Sequence, residues 1–309
     1  ARLAMVLLAV GLAAFLLYSL VERPFRQARP GWPTLAGVIT TTIGLMLVAP
    51  MLQQEHLSRQ ERRIFASLSD HDTYRCGLAW QWRHLTARTC PLNDPVPLRG
   101  TILLVGNSYA DSLKQTLTGI ADRHDLKVYL TVENVPLMSS GKMGIAEVVD
   151  EARKQHATAI VLHHSPDAVD GRTVEALAWA AHEHGIVTRL IMPVPRQPDH
   201  VPRALLQAMR TGKAPPALEL DDYRLHHAQR LARLQLITVP GFGIYQIAQD
   251  LCRPGCAVED AEGALLYRDE HHLTLTGSRQ LQPTLEQVVA DLSQRLGQPI
   301  TPFARKTSI

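Results

Sequence analysis

The stretch 102-ILLVGNSYADS-112 decides how the rest of the chain is read. Ile102, Leu103, Leu104 and Val105 form a continuous apolar run suited to a strand buried on both faces, and Gly106 lets the chain leave it sharply. Ser108 then stands where a helix begins. As an N-cap, its oxygen would accept from the orphan amides of the first turn. As a nucleophile, it would gain from the same location, at the carboxyl end of a strand and beside a helix N-terminus that favours developing negative charge. Taken alone the stretch favours the cap, so a partner elsewhere in the chain has to decide.

Downstream, apolar runs at 101–105, 127–132, 158–163, 187–194 and 235–239 alternate with helix-like stretches near 110–123, 143–155, 173–184, 201–210 and 221–234. Strand and helix in turn imply an α/β fold with a parallel sheet covered on both faces. Ligands of such sheets bind outside the carboxyl ends of the strands, near the point where strand order reverses, and Ser108 follows the first strand. Upstream, residues 53–100 read as an irregular connector or cap, with a short helix near 60–68 and the Pro-rich approach 90-CPLNDPVPLRG-100.

The partner lies in 265-LLYRDEHHLTLTGSRQL-281, just before a last helix expected over 277–296. Asp269 and His272 are three apart, a spacing that lets the carboxylate orient the imidazole. A serine site needs these two roles, an imidazole to take the hydroxyl proton and a carboxylate to hold its tautomer. The plainer reading is that Asp269 or Thr276 caps the helix and the histidines are solvated. The 14 histidines include pairs at 163/164, 226/227 and 271/272 and the run 182-HEH-184, but none of these clusters has the three- or four-residue spacing that puts ligands on one helix face. No metal site is expected, and no glycine-rich phosphate loop is present.

At 309 residues with a net charge of +3, the chain is long enough for a full domain plus an appendage and too weakly charged for a nucleic-acid surface. Leu3–Leu20 and Pro33–Leu52 carry no charge, and each approaches the ~20 residues a bilayer-spanning helix needs. Between them, 21-VERPFRQARPGW-32 sets Arg23, Arg26 and Arg29 against Glu22, which places that loop in the cytoplasm and everything after Leu52 on the far side. Arg59, Arg62 and Arg63 weaken this asymmetry. Four cysteines, Cys76, Cys90, Cys252 and Cys256, allow three pairings, and a zinc site is a weak alternative because no C-x-x-C spacing occurs. The Pro-Gly turn in 252-CRPGC-256 makes a small closed loop reasonable, and the favoured pairing is Cys76 with Cys90 and Cys252 with Cys256. Such bridges persist in an oxidising compartment, for a bacterial-type chain the periplasm.

The Gly-x-Ser turn after the first strand, followed late by Asp-x-x-His-Leu-Thr-x-x-Gly at 269–277, resembles the first and last blocks of the SGNH hydrolase superfamily. The resemblance implies a three-layer α/β/α fold with a flavodoxin-like parallel sheet, Ser108 as nucleophile, His272 as general base and Asp269 as the orienting acid. The family's usual first block is Gly-Asp-Ser, often with His next, where Asn107 and Tyr109 stand here. Its oxyanion hole joins the serine amide to a glycine after the second strand and an asparagine after the third. Neither matches. Asn134 stands near the second position as a candidate beside the Ser108 amide, and His164 and Ser165 stand near the third.

The motif 19-SLVERPFR-26 after an apolar helix, a second span, a connector and paired cysteines together resemble the C-terminal part of a membrane acyltransferase 3 family protein with a fused SGNH domain. The resemblance divides the chain into two transmembrane helices at 1–52, a periplasmic connector at 53–100 and an SGNH-like domain at 101–309. It implies O-acetylation of a cell-surface polysaccharide such as lipopolysaccharide, at the bacterial inner membrane with this domain in the periplasm. An upstream membrane acyltransferase domain would carry the acetyl group from cytoplasmic acetyl-CoA, so the chain, which starts at Ala1, reads as a piece of a longer protein binding no cofactor itself. The partners implied are the polysaccharide acceptor, that membrane domain and the lipid bilayer, with no nucleic acid. If water resolves the acyl-enzyme, the same residues make a periplasmic acetyl esterase. If Ser108 is only a cap, the domain is a non-catalytic module that binds polysaccharide or a partner.

Overall fold

The computed structural model describes residues 57–133, 144–166, 170–253 and 255–296, apart from residues 86 and 88, together with scattered positions between 11 and 46. The chain divides into two units, residues 1–62 and 63–309. In the first, Tyr18–Glu22 form a π-helical turn. The expected spans Leu3–Leu20 and Pro33–Leu52 fall largely outside the described residues, and among those described no helix is long and apolar enough to cross a membrane.

The second unit is built on a six-stranded sheet. Its elements in chain order are α1 (Arg59–Ser69, which begins in the first unit), α2 (Leu78–Arg83), β1 (Thr89–Pro91), β2 (Gly100–Gly106), α3 (Ser108–Arg123), β3 (Leu126–Val132), α4 (Ile145–Lys154), β4 (Ala159–His163), α5 (Gly171–His182), β5 (Val187–Ile191), α6 (Val201–Thr211), α7 (Leu220–Gln235), β6 (Phe242–Tyr245), α8 (Ala248–Leu251), α9 (Leu275–Gln280) and α10 (Gln282–Leu296). The strands run in the order β1-β3-β2-β4-β5-β6, all pairs being parallel except β1 with β3. The parallel strands alone follow the flavodoxin-like order, so the reversal of strand order falls at β2 and β4, where ligands of this topology bind.

Two cores flank the sheet because successive strand residues point to opposite faces. Ile102 and Leu104 of β2 pack with Leu113, Leu117 and Ile120 of α3 and with Leu285, Val288 and Leu292 of α10. Leu103 and Val105 pack on the other side with Val148 and Ala152 of α4 and with Val174, Leu177 and Ala181 of α5. Full burial of each such leucine contributes about 2 kcal/mol relative to leaving it in water.

Three expectations need correction. The fifth parallel strand is Phe242–Tyr245, not 235–239. Helix α7 runs on to Gln235, Leu236 is 77% exposed, and the chain turns into β6 at Gly241, whose φ is 80°. The edge strand itself is only half-buried and contains Gly243, whose missing side chain leaves room for Arg189, so its apolar signal is weak. The last helix is two, α9 and α10, meeting at Leu281. The connector over 53–100 enters the domain, since Thr89–Pro91 pair with Tyr129–Thr131. Cys76 bonds to Cys90 on β1, and Cys252 bonds to Cys256 across the Pro-Gly turn.

Arg189 ties the far edge of the sheet to the last helix. It is 1% exposed, and its Nε and Nη2 meet Asp291 Oδ2 at 2.7 and 2.6 Å, the oxygen to which the Tyr245 hydroxyl also donates at 2.9 Å. A guanidinium cannot shed its charge, so removing the carboxylate strands a buried cation. Asp291→Ala is expected to lower stability by about 3 kcal/mol, read as a reduced urea midpoint at unchanged slope.

Candidate active site

Gly106 ends β2 at a close approach, since a Cβ there would overlap the His163 carbonyl and the Ala110 side chain. The next residue takes the capping position. Asn107, not Ser108, is the N-cap of α3, its Oδ1 accepting from the Tyr109 amide at 3.1 Å while its Nδ2 donates to Ser165 Oγ at 2.9 Å. Ser108 is thereby the first residue of the helix itself, and its Oγ lies 2.7 Å from His272 Nε2. The helix also raises the Ser108 amide at its positive end.

The imidazole comes from a tight turn. Tyr267 and Leu273 form a bridge, and the Arg268 amide donates to the His272 carbonyl at 2.8 Å, so residues 268–272 fold back on themselves. Within that turn Asp269 Oδ1 accepts from the amides of His271 and His272 at 2.8 and 2.7 Å, and Oδ2 accepts a hydrogen bond from His272 Nδ1 at 2.6 Å. The cap of the following helix is Thr274, whose hydroxyl accepts from the Gly277 amide at 2.9 Å, so neither Asp269 nor Thr276 fills that role. Gly277 is needed because a Cβ there would strike the Leu266 carbonyl.

Electrostatics follow from these bonds. Burial pushes the Asp269 carboxyl up, but the hydrogen bond from His272, the two turn amides and the imidazole charge outweigh it and hold the group well below the usual carboxylate range. An ionised Asp269 fixes the proton of His272 on Nδ1 and leaves Nε2 to accept from Ser108. His163 and His164, at the end of β4, are driven by burial down to about 4 and about 3, and His163 keeps its Nδ1 near the Ile191 carbonyl at 3.1 Å. Both are neutral near pH 7. His164 is 1% exposed and Ser165 is held by Asn107, while Asn134 lies outside the described residues.

Tyr109 sits at the centre of the imidazoles, stacked on His271 at 5.4 Å between centroids and against His163 and His272 at 5.8 and 5.9 Å. A cavity of about 450 Å³ opens beside it, lined by Tyr109, Ser165, Arg196, Tyr223, His226 and His271 among others. Among the described residues one group of metal-ligand type, Asp269, His271 and His272, brings a donor atom from each within 4.8 Å of one another. Two of its members are the pair already bonded in the turn, a loop placement that helix spacing could not reveal. Asn107 and Tyr109 were missed in the sequence as site residues, the first because asparagine and serine cap helices about equally well.

The model of the family described as SGNH domain, fused to AT3 domains, matches residues 75–287. Among solved structures, the lipopolysaccharide acetyltransferase periplasmic domain of Salmonella ser. Paratyphi A aligns with a TM-score of 0.53 and 16% identity, covering 76% of this chain and 98% of that one, a likeness of fold. The N-terminal part of the protein BF1531 from Bacteroides fragilis, containing a phosphatase domain complexed with Mg, aligns with a TM-score of 0.38 and 12% identity, covering 67% of this chain and 55% of that one. No curated protein sequence matches. On the match over residues 75–287 the chain belongs to the family of SGNH domains fused to AT3 domains.

Proposed function

We propose that this domain transfers an acyl group, acetyl in the first instance, to a hydroxyl of a cell-surface polysaccharide through Ser108, His272 and Asp269. The observation that carries the reading is the hydrogen-bonded series from Asp269 Oδ2 to His272 Nδ1 at 2.6 Å and from His272 Nε2 to Ser108 Oγ at 2.7 Å. In the first half-reaction His272 takes the hydroxyl proton as Ser108 Oγ attacks the acyl carbonyl, and the imidazolium then returns that proton to the leaving group. In the second, a sugar hydroxyl gives its proton to His272 and attacks the acyl-serine, and the proton passes back to Ser108 Oγ as the new ester leaves. The Ser108 amide, at the start of α3, is the donor proposed for the oxyanion, with Asn134 as its companion.

The family's fusion to AT3 domains supports a membrane acyltransferase as the source of the acyl group, with acetyl-CoA as the ultimate donor. The similar fold of a lipopolysaccharide acetyltransferase periplasmic domain supports the polysaccharide acceptor, and the two disulfides suit a periplasmic location, with the spans before residue 53 as the proposed anchor. The cavity beside Tyr109 is large enough for a sugar unit and offers aromatic faces together with polar groups, the mixture a hydroxyl-rich ring requires. With no acceptor bound, water resolves the acyl-serine, so slow hydrolysis of small acetates is the activity to assay.

Because residues of one catalytic unit fail together, Ser108→Ala and His272→Ala are each expected to reduce hydrolysis of an activated acetate by about 10³-fold or more, with their double variant no worse. Asp269→Asn is expected to fall less, and circular dichroism should show all of them folded. Full activity in folded Ser108→Ala would remove the nucleophile. In cells carrying the chain joined to its membrane acyltransferase domain, O-acetyl signals in the polysaccharide NMR spectrum are expected to disappear with Ser108→Ala. Their persistence would mean that the final transfer happens elsewhere.

A further inference from the structure

Ser108 and His272 stand on different elements, α3 and the turn before α9, and the segment 70–75 is bonded to α3 and to α9. At its start, the Asp70 carbonyl accepts from the Leu275 amide at 3.0 Å and its Oδ2 from the Thr276 amide at 3.2 Å. With Thr274 serving Gly277, the first three amides of α9 are satisfied, two of them by Asp70 rather than by a group of the helix's own turn. At its other end, the Arg75 amide donates to Asp111 Oδ1 and Oδ2 at 3.0 and 3.2 Å, one turn along α3 from Ser108.

Lys114, one turn further along, completes the attachment. It is 3% exposed, and its ammonium reaches the carbonyls of Thr73 and Arg75, the latter at 2.8 Å, as well as Asp111 Oδ1 at 2.7 Å and Asp72 Oδ2 at 3.7 Å. A buried ammonium with donors directed at two backbone carbonyls of another segment fixes that segment firmly, because releasing it would leave those donors buried without acceptors while Asp111 keeps the charge paired. The Cys76–Cys90 disulfide then joins the end of the segment to β1. Apart from the Lys114–Asp111 pair within α3, the bonds of the set run from 70–76 to one of three places: the helix that carries the proposed nucleophile, the helix that follows the proposed base, or the sheet.

We infer that residues 70–75 are a strap that sets the register between Ser108 and His272, with Asp70 as a positioning residue for the acyl-transfer reaction. The inference rests on Ser108 being the nucleophile. Asp70 touches no reacting atom; it holds the start of α9, and His272 lies three residues before the first amide it holds. A displacement of the imidazole by about 1 Å is enough to cost on the order of 10²-fold in a proton-transfer step that depends on alignment. Losing one end of the strap should therefore lower the chemical step and leave the binding of a small ester nearly unchanged.

The test uses the full 309-residue chain with an activated acetate, and with a fluorophosphonate that labels an activated serine. Asp70→Ala is expected to lower kcat and the labelling rate about tenfold with KM changed less than about twofold, and Asp70→Asn, which keeps an acceptor for the Thr276 amide, to restore most of the loss. Lys114→Met cuts the strap at α3 and serves as a second variant if Asp70→Ala does not fold; because the strap acts as one unit, the double variant should be no slower than the slower single. Asp291→Ala, destabilising but far from the strap in its bonding, should keep wild-type kcat and so separates misplacement from simple instability. Unchanged kcat in both folded strap variants, or an equal loss in Asp291→Ala, would overturn the strap. Activity that survives in Ser108→Ala would instead overturn the nucleophile, a separate failure.

Discussion

The contact of 2.7 Å between Ser108 Oγ and His272 Nε2 joins residues 164 positions apart, and much of the fold bears on keeping it at that length. Neither partner is free to move alone. The serine is fixed by Gly106, which brings β2 against the His163 carbonyl, and by Asn107, which takes the capping role and leaves the hydroxyl unused by the helix. The histidine is fixed by two bonds to one aspartate, which also holds the His271 amide, and by a hairpin turn whose next helix is capped by Thr274 and Asp70. The Thr116 and Ser278 hydroxyls, 2.6 Å apart, link α3 to α9 directly and give the same two elements a second tie.

Charge around this contact is arranged by contrast. Asp269 is held ionised by donors that compensate its burial, whereas burial outweighs the single Ile191 carbonyl bond at His163 and the neighbouring His163 adds to it at His164, so both stay neutral. His271 is also pushed down, by burial and by the neighbouring His272 charge. A single imidazole therefore has an ionised carboxylate at its Nδ1 and a hydroxyl at its Nε2 within this cluster of rings. Its partners thus distinguish that ring from the other histidines nearby, which is what the proposed proton transfer requires.

Much of this was legible in the sequence because period and punctuation are local. Strands β2 and β4 announced themselves as nearly continuous apolar runs because both faces are buried, and β3 and β5 kept an apolar majority despite Lys127 and Thr131 in one and Thr188 and Arg189 in the other. Edge strands lack that redundancy. β6 is half-buried and admits a glycine, and β1 is three residues inside a Pro-rich stretch, so neither stood out from its surroundings. Ser108, Asp269 and His272 could be singled out because the turn and the late motif are contiguous. The cap was read onto Ser108 although Asn107 fills it, and Asp70, Asp111 and Lys114 were invisible, because their roles exist only once segments far apart in the chain are packed together.

Under the proposed function, the bonding at Ser108 does not choose between water and a sugar, since both would give a proton to His272 Nε2 from the same side. The choice has to come from the cavity beside Tyr109, where Tyr223, His226 and Arg196 present groups that water does not need. An acceptor ring that fills this space gains contact energy remote from the reacting hydroxyl, and that energy can be spent on orientation and on displacing solvent. A hydroxyl held in line for attack gains orders of magnitude in effective concentration over a freely tumbling one. Under that proposal transfer would prevail over hydrolysis only while the acceptor occupies the cavity, and an acyl-serine formed without it would decay to the free acid. On this reading, the domain's specificity lies in the residues around the cavity rather than in the Ser-His-Asp series, which any acyl acceptor would use alike.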